Sequence, residues 1–311
     1  MWTTIKGCLY TILIQGEKMK YLLSLSTLLL LLGCNTPPPK KEPIFSKPTH
    51  QMLPRKEALI VGVSDYAGIT DDLAGVKKDV VNMRNLFSEW GFHVTVLMDK
   101  DALKLEENLQ RYVGLNANDK FIFYYSGHGS HTTDESGDED DGEDEALVLS
   151  DGVKNKLFLD DSLFGYLNSI KAQKMVMLDS CHSGTAFKAF GDEPKPKSLE
   201  SDIKHLFKII KSKIFPTQNS NINSGDYIVF SASQDNEQSL DTKSGGMFTK
   251  AFYKEVHTNN GKNIKMMNLR GAIAKEIRER CKESGSTVHH PNISASSNKL
   301  KYQTLGEFLE L

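Results

Sequence analysis

The sequence predicts an α/β fold, one parallel-rich sheet with helices on both faces, and three observations predict it. Short apolar runs at 58–63, 94–98, 121–125, 175–178 and 227–231 have the length and residue types of buried strands. Between them lie segments at 73–90, 103–113 and 161–170 whose apolar residues recur at helical spacing. Two of the runs, those around residues 125 and 178, stop abruptly in small and polar residues, at the sheet edge where such folds place their chemistry.

Along the chain, the first feature is an apolar stretch, Tyr21 to Leu32, that follows Lys18 and Lys20 and ends in Leu31-Leu32-Gly33-Cys34. A membrane-spanning helix needs about 20 apolar residues, so a run this short behind positive charge has the layout of a secretion signal. It resembles a bacterial lipoprotein signal, which makes residues 1–34 leader and signal and Cys34 the residue that takes lipid. Leu32 is an unusual residue before the Gly-Cys pair, and Met19 offers an alternative start of conventional signal length. Lipid or uncleaved anchor, either places the body outside the cytoplasm at a membrane. Residues 35–54 carry Pro37-Pro38-Pro39, Lys40-Lys41, Pro43, Pro48 and Pro54, a composition suited to an extended spacer.

The body then alternates. Ala58 to Val63 reads as the first strand, and the following helix shows apolar residues at 73, 76, 80, 83, 86, 87 and 90. Val94–Met98 is a second strand, Leu103–Val113 a second helix, and Phe121–Tyr125 a third strand. Asp161–Ile170 gives a third helix, Met175–Leu178 a fourth strand and Tyr227–Ser231 a fifth, before helices at Phe248–His257 and Met267–Ser284. Two segments interrupt this order: Asp134 to Glu145, with nine acidic residues in twelve, reads as a solvated loop, and Lys188 to Asn223 is rich in lysine, proline and asparagine. The acidic run is not an EF-hand, because setting Gly142 at the sixth loop position puts Gly137 first and Val148 last, where carboxylates are required. A formal charge of −2 gives no footing for a nucleic-acid partner.

The two strand ends carry the chemistry. Tyr125-Ser126-Gly127-His128-Gly129 presents a histidine, and Asp179-Ser180-Cys181-His182-Ser183-Gly184 presents a cysteine. A cysteine nucleophile with a general acid/base partner requires such a pair. Of the four cysteines, Cys8 lies in the leader and Cys34 in the signal, which leaves Cys181 free beside Cys281, itself on the apolar face of a helix. His182 is adjacent to the cysteine, but neighbouring side chains at a strand end point apart, so His128 is the acid/base. A zinc site from His128, His131, Cys181 and His182 lacks a ligand spacing that would support it.

These residues resemble the caspase-like clan of cysteine peptidases, specifically metacaspases and their bacterial relatives. The resemblance rests on 125–129, on Asp-Gly-Glu-Asp-Glu at 141–145, on 179–184, on Ser-Ala-Ser-Gln-Asp-Asn-Glu-Gln-Ser-Leu-Asp at 231–241 and on Gly-Gly-Met-Phe-Thr at 245–249. The histidine precedes the cysteine by 53 residues, in the order and rough spacing of caspase-type enzymes. The cysteine is not followed by the arginine and glycine typical of animal caspases.

The resemblance implies a three-layer α/β/α sandwich around a central, mostly parallel sheet of about six strands. It divides 55–311 into a large-subunit-like part (55–187), a lysine-rich loop (188–223) and a small-subunit-like part (224–311). It implies a thioester acyl-enzyme on Cys181, with His128 as acid/base and the amides of Gly129 and Cys181 as the oxyanion hole. Asp79, Ser126 and Asp179 fall on the family's first-pocket positions, which implies peptide or protein substrates cleaved after arginine or lysine. Calcium is the family's metal, and its positions fall on Asp144, Asp160 and Asp161, but Lys188 stands where a fourth carboxylate belongs and would repel a divalent cation. The lysines of 188–213 offer a self-cleavage loop to such an enzyme; a plain surface insertion is the competing reading. A monomer is expected. The rival functions are a non-catalytic caspase-like surface lipoprotein that acts as a binding module, and a peptidase of the same clan with another specificity.

Overall fold

The fold was established from a computed structural model, which describes residues 53–133, 143–180, 195–197, 226–234, 237–258 and 261–310. The leader, Cys34, nearly all of the proline-rich spacer, Cys181, His182, Lys188 and most of the lysine-rich loop lie outside the described residues.

The central sheet has six strands: β1 (Lys56–Gly62), β2 (His93–Met98), β3 (Lys120–Ser126), β7 (Gln173–Asp179), β9 (Tyr227–Ser231) and β11 (Asn292–Ala295). Their spatial order is β11-β9-β7-β3-β1-β2, parallel throughout except for β11, which runs antiparallel to β9. The five parallel strands are those the apolar runs predict. β11 escapes the sequence because Asn-Ile-Ser-Ala is only four residues long, and an alternation with one large apolar residue is too short a signal.

Helix placement follows from connection handedness. The β1 to β2 crossover through α1 (Val76–Glu89) runs one way along the sheet. The crossovers to β3 through α2 (Leu105–Tyr112) and to β7 through α3 (Asp160–Ser169) run the other way. Right-handed connections therefore place α1 on one face and α2 with α3 on the opposite one. α1 packs against α4 (Met247–Thr258), which packs against α5 (Met266–Ser284), and α2 touches α3. The result is the expected three-layer sandwich. Its centre is β3, whose seven residues are all buried, with Phe121, Phe123, Tyr124 and Tyr125 among the largest fully enclosed side chains.

Two features depart from the sequence-based expectation. The end of the acidic run is not a solvated loop: β5 (Glu143–Ser150) begins inside it, pairs with β4 (Gly129–Thr133) and β6 (Asn155–Leu159) in a second, antiparallel sheet, and buries Glu145. Within the lysine-rich loop, Lys195–Pro196 forms a short strand, β8, antiparallel to β10 (Leu240–Asp241). Two short C-terminal helices, α6 (Asn298–Tyr302) and α7 (Leu305–Leu309), were likewise not anticipated; α7 starts with a capping box formed by Thr304 and Glu307. Cys281 is free and fully buried on α5, as its helical spacing predicts.

Candidate active site

The site forms where β3 and β7 end side by side. Ser126 pairs with Asp179 in the parallel register, and His128 and Cys181 each follow two residues later in the chain. Both strands stop at the same level, with His128 two residues beyond the end of β3. Cys181 itself lies outside the described residues.

His128 is buried and held from several sides. Its backbone N–H donates to the Tyr66 hydroxyl at 2.7 Å, and its carbonyl accepts from the Tyr125 hydroxyl at 2.6 Å and from the Val148 N–H at 3.0 Å. The Tyr66 ring lies tilted against the imidazole, centroids 4.4 Å apart. Gly127 permits this crowding, because a methyl group there would lie 2.6 Å from the Tyr125 hydroxyl and 2.7 Å from that of Tyr66.

On the imidazole, Nε2 lies 2.7 Å from the Asp71 carbonyl. A carbonyl can only accept, so in the neutral ring Nε2 carries the proton and Nδ1 carries the lone pair. Nδ1 is buried without a hydrogen-bond partner among the described residues. Burial pushes the His128 pKa down to about 4, against the Asp71 carbonyl and the Lys197 main chain, which favour the charged ring. The site therefore presents a neutral base whose free nitrogen awaits a partner. No side chain signals the orienting role of Asp71, since its backbone performs it.

Asp79, Ser126 and Asp179, which the resemblance implies for a first pocket, lie together. Asp79, on the buried face of α1, has no exposure although its neighbours Lys77 and Lys78 face solvent. Its carboxylate accepts from the Gly246 N–H at 2.9 and 3.0 Å and from the Ser126 hydroxyl at 3.0 Å. Asp179, equally enclosed, accepts from the Ser239 hydroxyl at 2.9 Å and the Thr249 hydroxyl at 2.6 Å, and Thr249 in turn meets the Tyr124 hydroxyl at 2.6 Å. Ser239, Gly246 and Thr249 lie within the family-like motifs, but nothing in their sequence marks them as partners of these carboxylates. Asp241 adds a third nearby carboxylate, fixed by the Gly75 N–H at 2.8 Å.

The cation between these carboxylates is a residue of the same chain. Lys197 is fully buried, with Nζ 3.2 Å from Asp79, 3.1 Å from Asp179 and 2.8 Å from the Ser126 hydroxyl. Burial alone would lower its pKa, but Asp179, Asp79 and Asp241 outweigh that and hold the ammonium above the ordinary lysine range. In return Asp79 is pushed up to about 7, because burial exceeds the help that Lys197 gives. The Lys197 main chain is fixed as well: its N–H donates to the Ser239 carbonyl at 2.9 Å, and its carbonyl accepts from the Gly129 N–H at 3.1 Å. Gly129 is the residue expected to supply an oxyanion-hole amide.

The positions expected for calcium are described only in part. Asp160 and Asp161 open α3, with an Asp160 oxygen 2.8 Å from the Asp161 N–H, and Asp144 lies on β5, its side chain outside the described atoms. Among the described residues no group of three or more potential ligands converges on a metal position.

Comparisons with known proteins agree with this geometry. The family model described as the caspase domain matches residues 55–302. Metacaspase-1 of Pyricularia oryzae is 34% identical over 152 residues, 44% of this chain and 38% of its own length. Metacaspase-1 of Eremothecium gossypii is 27% identical over 274 residues, 69% of this chain and 60% of its own. The aligned regions thus span less than two thirds of the length of these relatives. Among solved structures, protein GSU0716 from Geobacter sulfurreducens superposes with a TM-score of 0.60 at 23% identity, covering 81% of this chain and 98% of that one. Caspase-1 from Spodoptera frugiperda gives 0.55 at 12% identity, covering 82% and 90%, a likeness of fold. With the family model spanning nearly the whole described body and the histidine strand end, pocket and six-stranded sheet in place, the chain belongs to the caspase-domain family.

Proposed function

We propose that the protein is a cysteine endopeptidase that cleaves peptide bonds after lysine or arginine, with Cys181 as nucleophile and His128 as acid/base. The observation that carries this reading is the Lys197 ammonium enclosed by Asp79, Asp179 and Ser126. Two buried carboxylates and a hydroxyl select a cation by charge and hydrogen bonding, and reject an acidic side chain by repulsion.

In this mechanism Cys181 passes its proton to Nδ1 of His128 and its sulfur attacks the carbonyl carbon of the residue in the pocket. The Gly129 N–H supports the developing oxyanion, a role typically worth about 3 kcal/mol per donor. The imidazolium then protonates the leaving amine, and the freed ring activates water to release the acyl group. The Asp71 carbonyl keeps the ring turned with Nδ1 inward throughout.

The test is covalent labelling of Cys181 by a lysyl or arginyl chloromethylketone, read by mass spectrometry, alongside a fluorogenic peptide panel. Labelling that disappears in His128→Ala, with turnover of lysyl and arginyl but not aspartyl peptides, is the expected result. Preference for aspartate would overturn it. We also propose that Cys34 carries lipid and anchors the enzyme at a membrane, outside the cytoplasm; among the described residues no helix is long and apolar enough to cross one. Fatty-acid incorporation lost in Cys34→Ser checks this.

A further inference from the structure

We propose that Glu237 and His290 are a positioning pair: they clasp the segment between β9 and β10 so that Ser239 can hold both a pocket carboxylate and the backbone of a bound peptide. The clasp sets how tightly a basic residue binds and leaves the rate of bond breaking alone. This rests on the peptidase reading above and assigns two further residues to the same site.

Ser239 works in two directions. Its hydroxyl donates to Asp179 at 2.9 Å, and its carbonyl accepts from the Lys197 N–H at 2.9 Å, a backbone contact with the chain that lies beside β10. The central sheet does not reach this far: β9 ends at Ser231, and the Ala232 N–H still meets the Leu178 carbonyl at 3.0 Å before the chain turns away. Two successive histidines ahead of β11 take hold of the segment instead. Buried His289 lies with Nδ1 2.7 Å from the Ala232 carbonyl, so that nitrogen carries the proton. His290 meets Glu237 twice, its backbone N–H donating to one carboxylate oxygen and its ring Nδ1 to the other, both at 2.6 Å. The Glu237 N–H closes a turn onto the Gln234 carbonyl at 3.0 Å. The histidine side is firm, because the Pro291 carbonyl accepts from Arg270 of α5 at 3.1 Å and Asn292 pairs with Ser231 in the sheet. Glu237 thus ties the chain just before Ser239 to the sheet.

A surface ion pair is the competing reading. The His290 side chain is 41% exposed and that of Glu237 20%, so the charge attraction is screened by water and adds little to stability. Two hydrogen bonds on one carboxylate, one from the main chain and one from the ring, fix the direction of Glu237 as well as its distance, which a loose surface pair does not require. The chemistry sits on other elements. His128 is held by Tyr66, Tyr125 and the Asp71 carbonyl, and Gly129 follows it on the β3 side. Contacts from Ser239 are made by the bound residue before and during reaction alike, so weakening them raises KM and spares kcat.

The two partners contribute unequally. Glu237→Ala removes both bonds of the clasp, whereas His290→Ala removes the ring bond and keeps the backbone N–H. His290→Asn returns an amide donor near the place of Nδ1. Once Glu237 is gone, the His290 ring has nothing left to hold, so adding His290→Ala costs nothing more if the two act as one device.

The experiment measures steady-state hydrolysis of a lysyl peptide by the full chain carrying Lys197→Ala, which leaves the pocket open, and by the same chain with Glu237→Ala, His290→Ala, His290→Asn or both alanines added. Urea unfolding checks that each variant is folded. Glu237→Ala should raise KM about tenfold with kcat within about twofold, and His290→Ala should raise KM about threefold. His290→Asn should recover most of the His290→Ala loss, and the double alanine variant should match Glu237→Ala. Should Glu237→Ala fail to fold, His290→Ala and His290→Asn, which keep the carboxylate, decide by the same split between KM and kcat. An unchanged KM, a fall in kcat alone, or a double-variant loss equal to the product of the single losses overturns this proposal while leaving the peptidase reading intact. No turnover by the Lys197→Ala parent removes the peptidase reading and this proposal with it.

Discussion

Replacing Asp79 by asparagine gives the sharpest test of how the pocket selects a cation. Asp79 is fully buried and supplies one of the two carboxylates around the Lys197 ammonium, at 3.2 Å against 3.1 Å for Asp179. Asparagine retains an oxygen for the Gly246 N–H but removes the charge. Removing one member of a buried charge pair costs about 3–5 kcal/mol, and with Asp179 still in place the lower end applies, about 3 kcal/mol. At 1.36 kcal/mol per decade that is roughly a 150-fold fall in kcat/KM for a lysyl peptide. The assay compares a lysyl peptide with one carrying norleucine, which has similar length and no charge, in a Lys197→Ala background that leaves the pocket open. The lysyl value should collapse while the norleucine value stays within about twofold. An equal fall on both would show that Asp79 holds the pocket in shape and does not read charge, and a lysyl loss under fivefold would refute the electrostatic argument.

The same side chain makes a pH prediction. Because the Asp79 pKa is raised to about 7 by burial, falling pH protonates it and weakens the charge pair, so turnover of a lysyl peptide should show an acid limb near pH 7 that flattens in Asp79→Asn. Stability follows the opposite sign: a carboxylate raised in the folded state stabilises at low pH and loses that contribution as pH rises. Urea denaturation should therefore show wild type gaining on Asp79→Asn between pH 7 and 4, while His128, whose pKa is lowered by burial to about 4, destabilises both proteins as pH falls below about 6.5. Gly246→Ala would place a methyl group 2.6 Å from Lys197 Nζ and 3.0 Å from an Asp79 oxygen, so turnover of lysyl and arginyl peptides should fall at least tenfold, measured with the same panel. Tyr66→Phe removes the acceptor of the buried His128 N–H and should cost about 1–3 kcal/mol in urea unfolding. Equal activity in chelator and in millimolar calcium would agree with the absence of a converging ligand set among the described residues; strong activation would point to a site completed by the side chains outside them.

What the sequence revealed and what it hid have the same physical origin. β1, β3 and β7 are legible because they are buried on both faces, and nothing but a continuous apolar run satisfies such a position. Ser126, His128 and Asp179 stand out because they end those runs. β5 was obscured by acidic residues at its start, where Glu145 is buried against the general rule for charge, and β8 is Lys-Pro, a pair with no strand signal at all. It is a strand only through its pairing with Leu240 and Asp241. Composition reads the segment around Lys197 as polar and gives no sign of its burial, because a lysine enclosed by carboxylates is decided by partners distant in sequence. The backbone contributions of Asp71 and Gly246 carry no side-chain signature and become visible only with coordinates.

On the proposed function, a target segment held against β10 as β8 is would limit where the enzyme cuts. A segment held in that manner must be straight for at least three residues before the cut and must turn its amides and carbonyls outward to the enzyme. A lysine in the middle of a stable helix has those groups engaged with its own chain, and unwinding it would draw on the target's stability. Folded partners would then be protected however many lysines they display, and cleavage would fall on their tails, linkers and transiently opened loops.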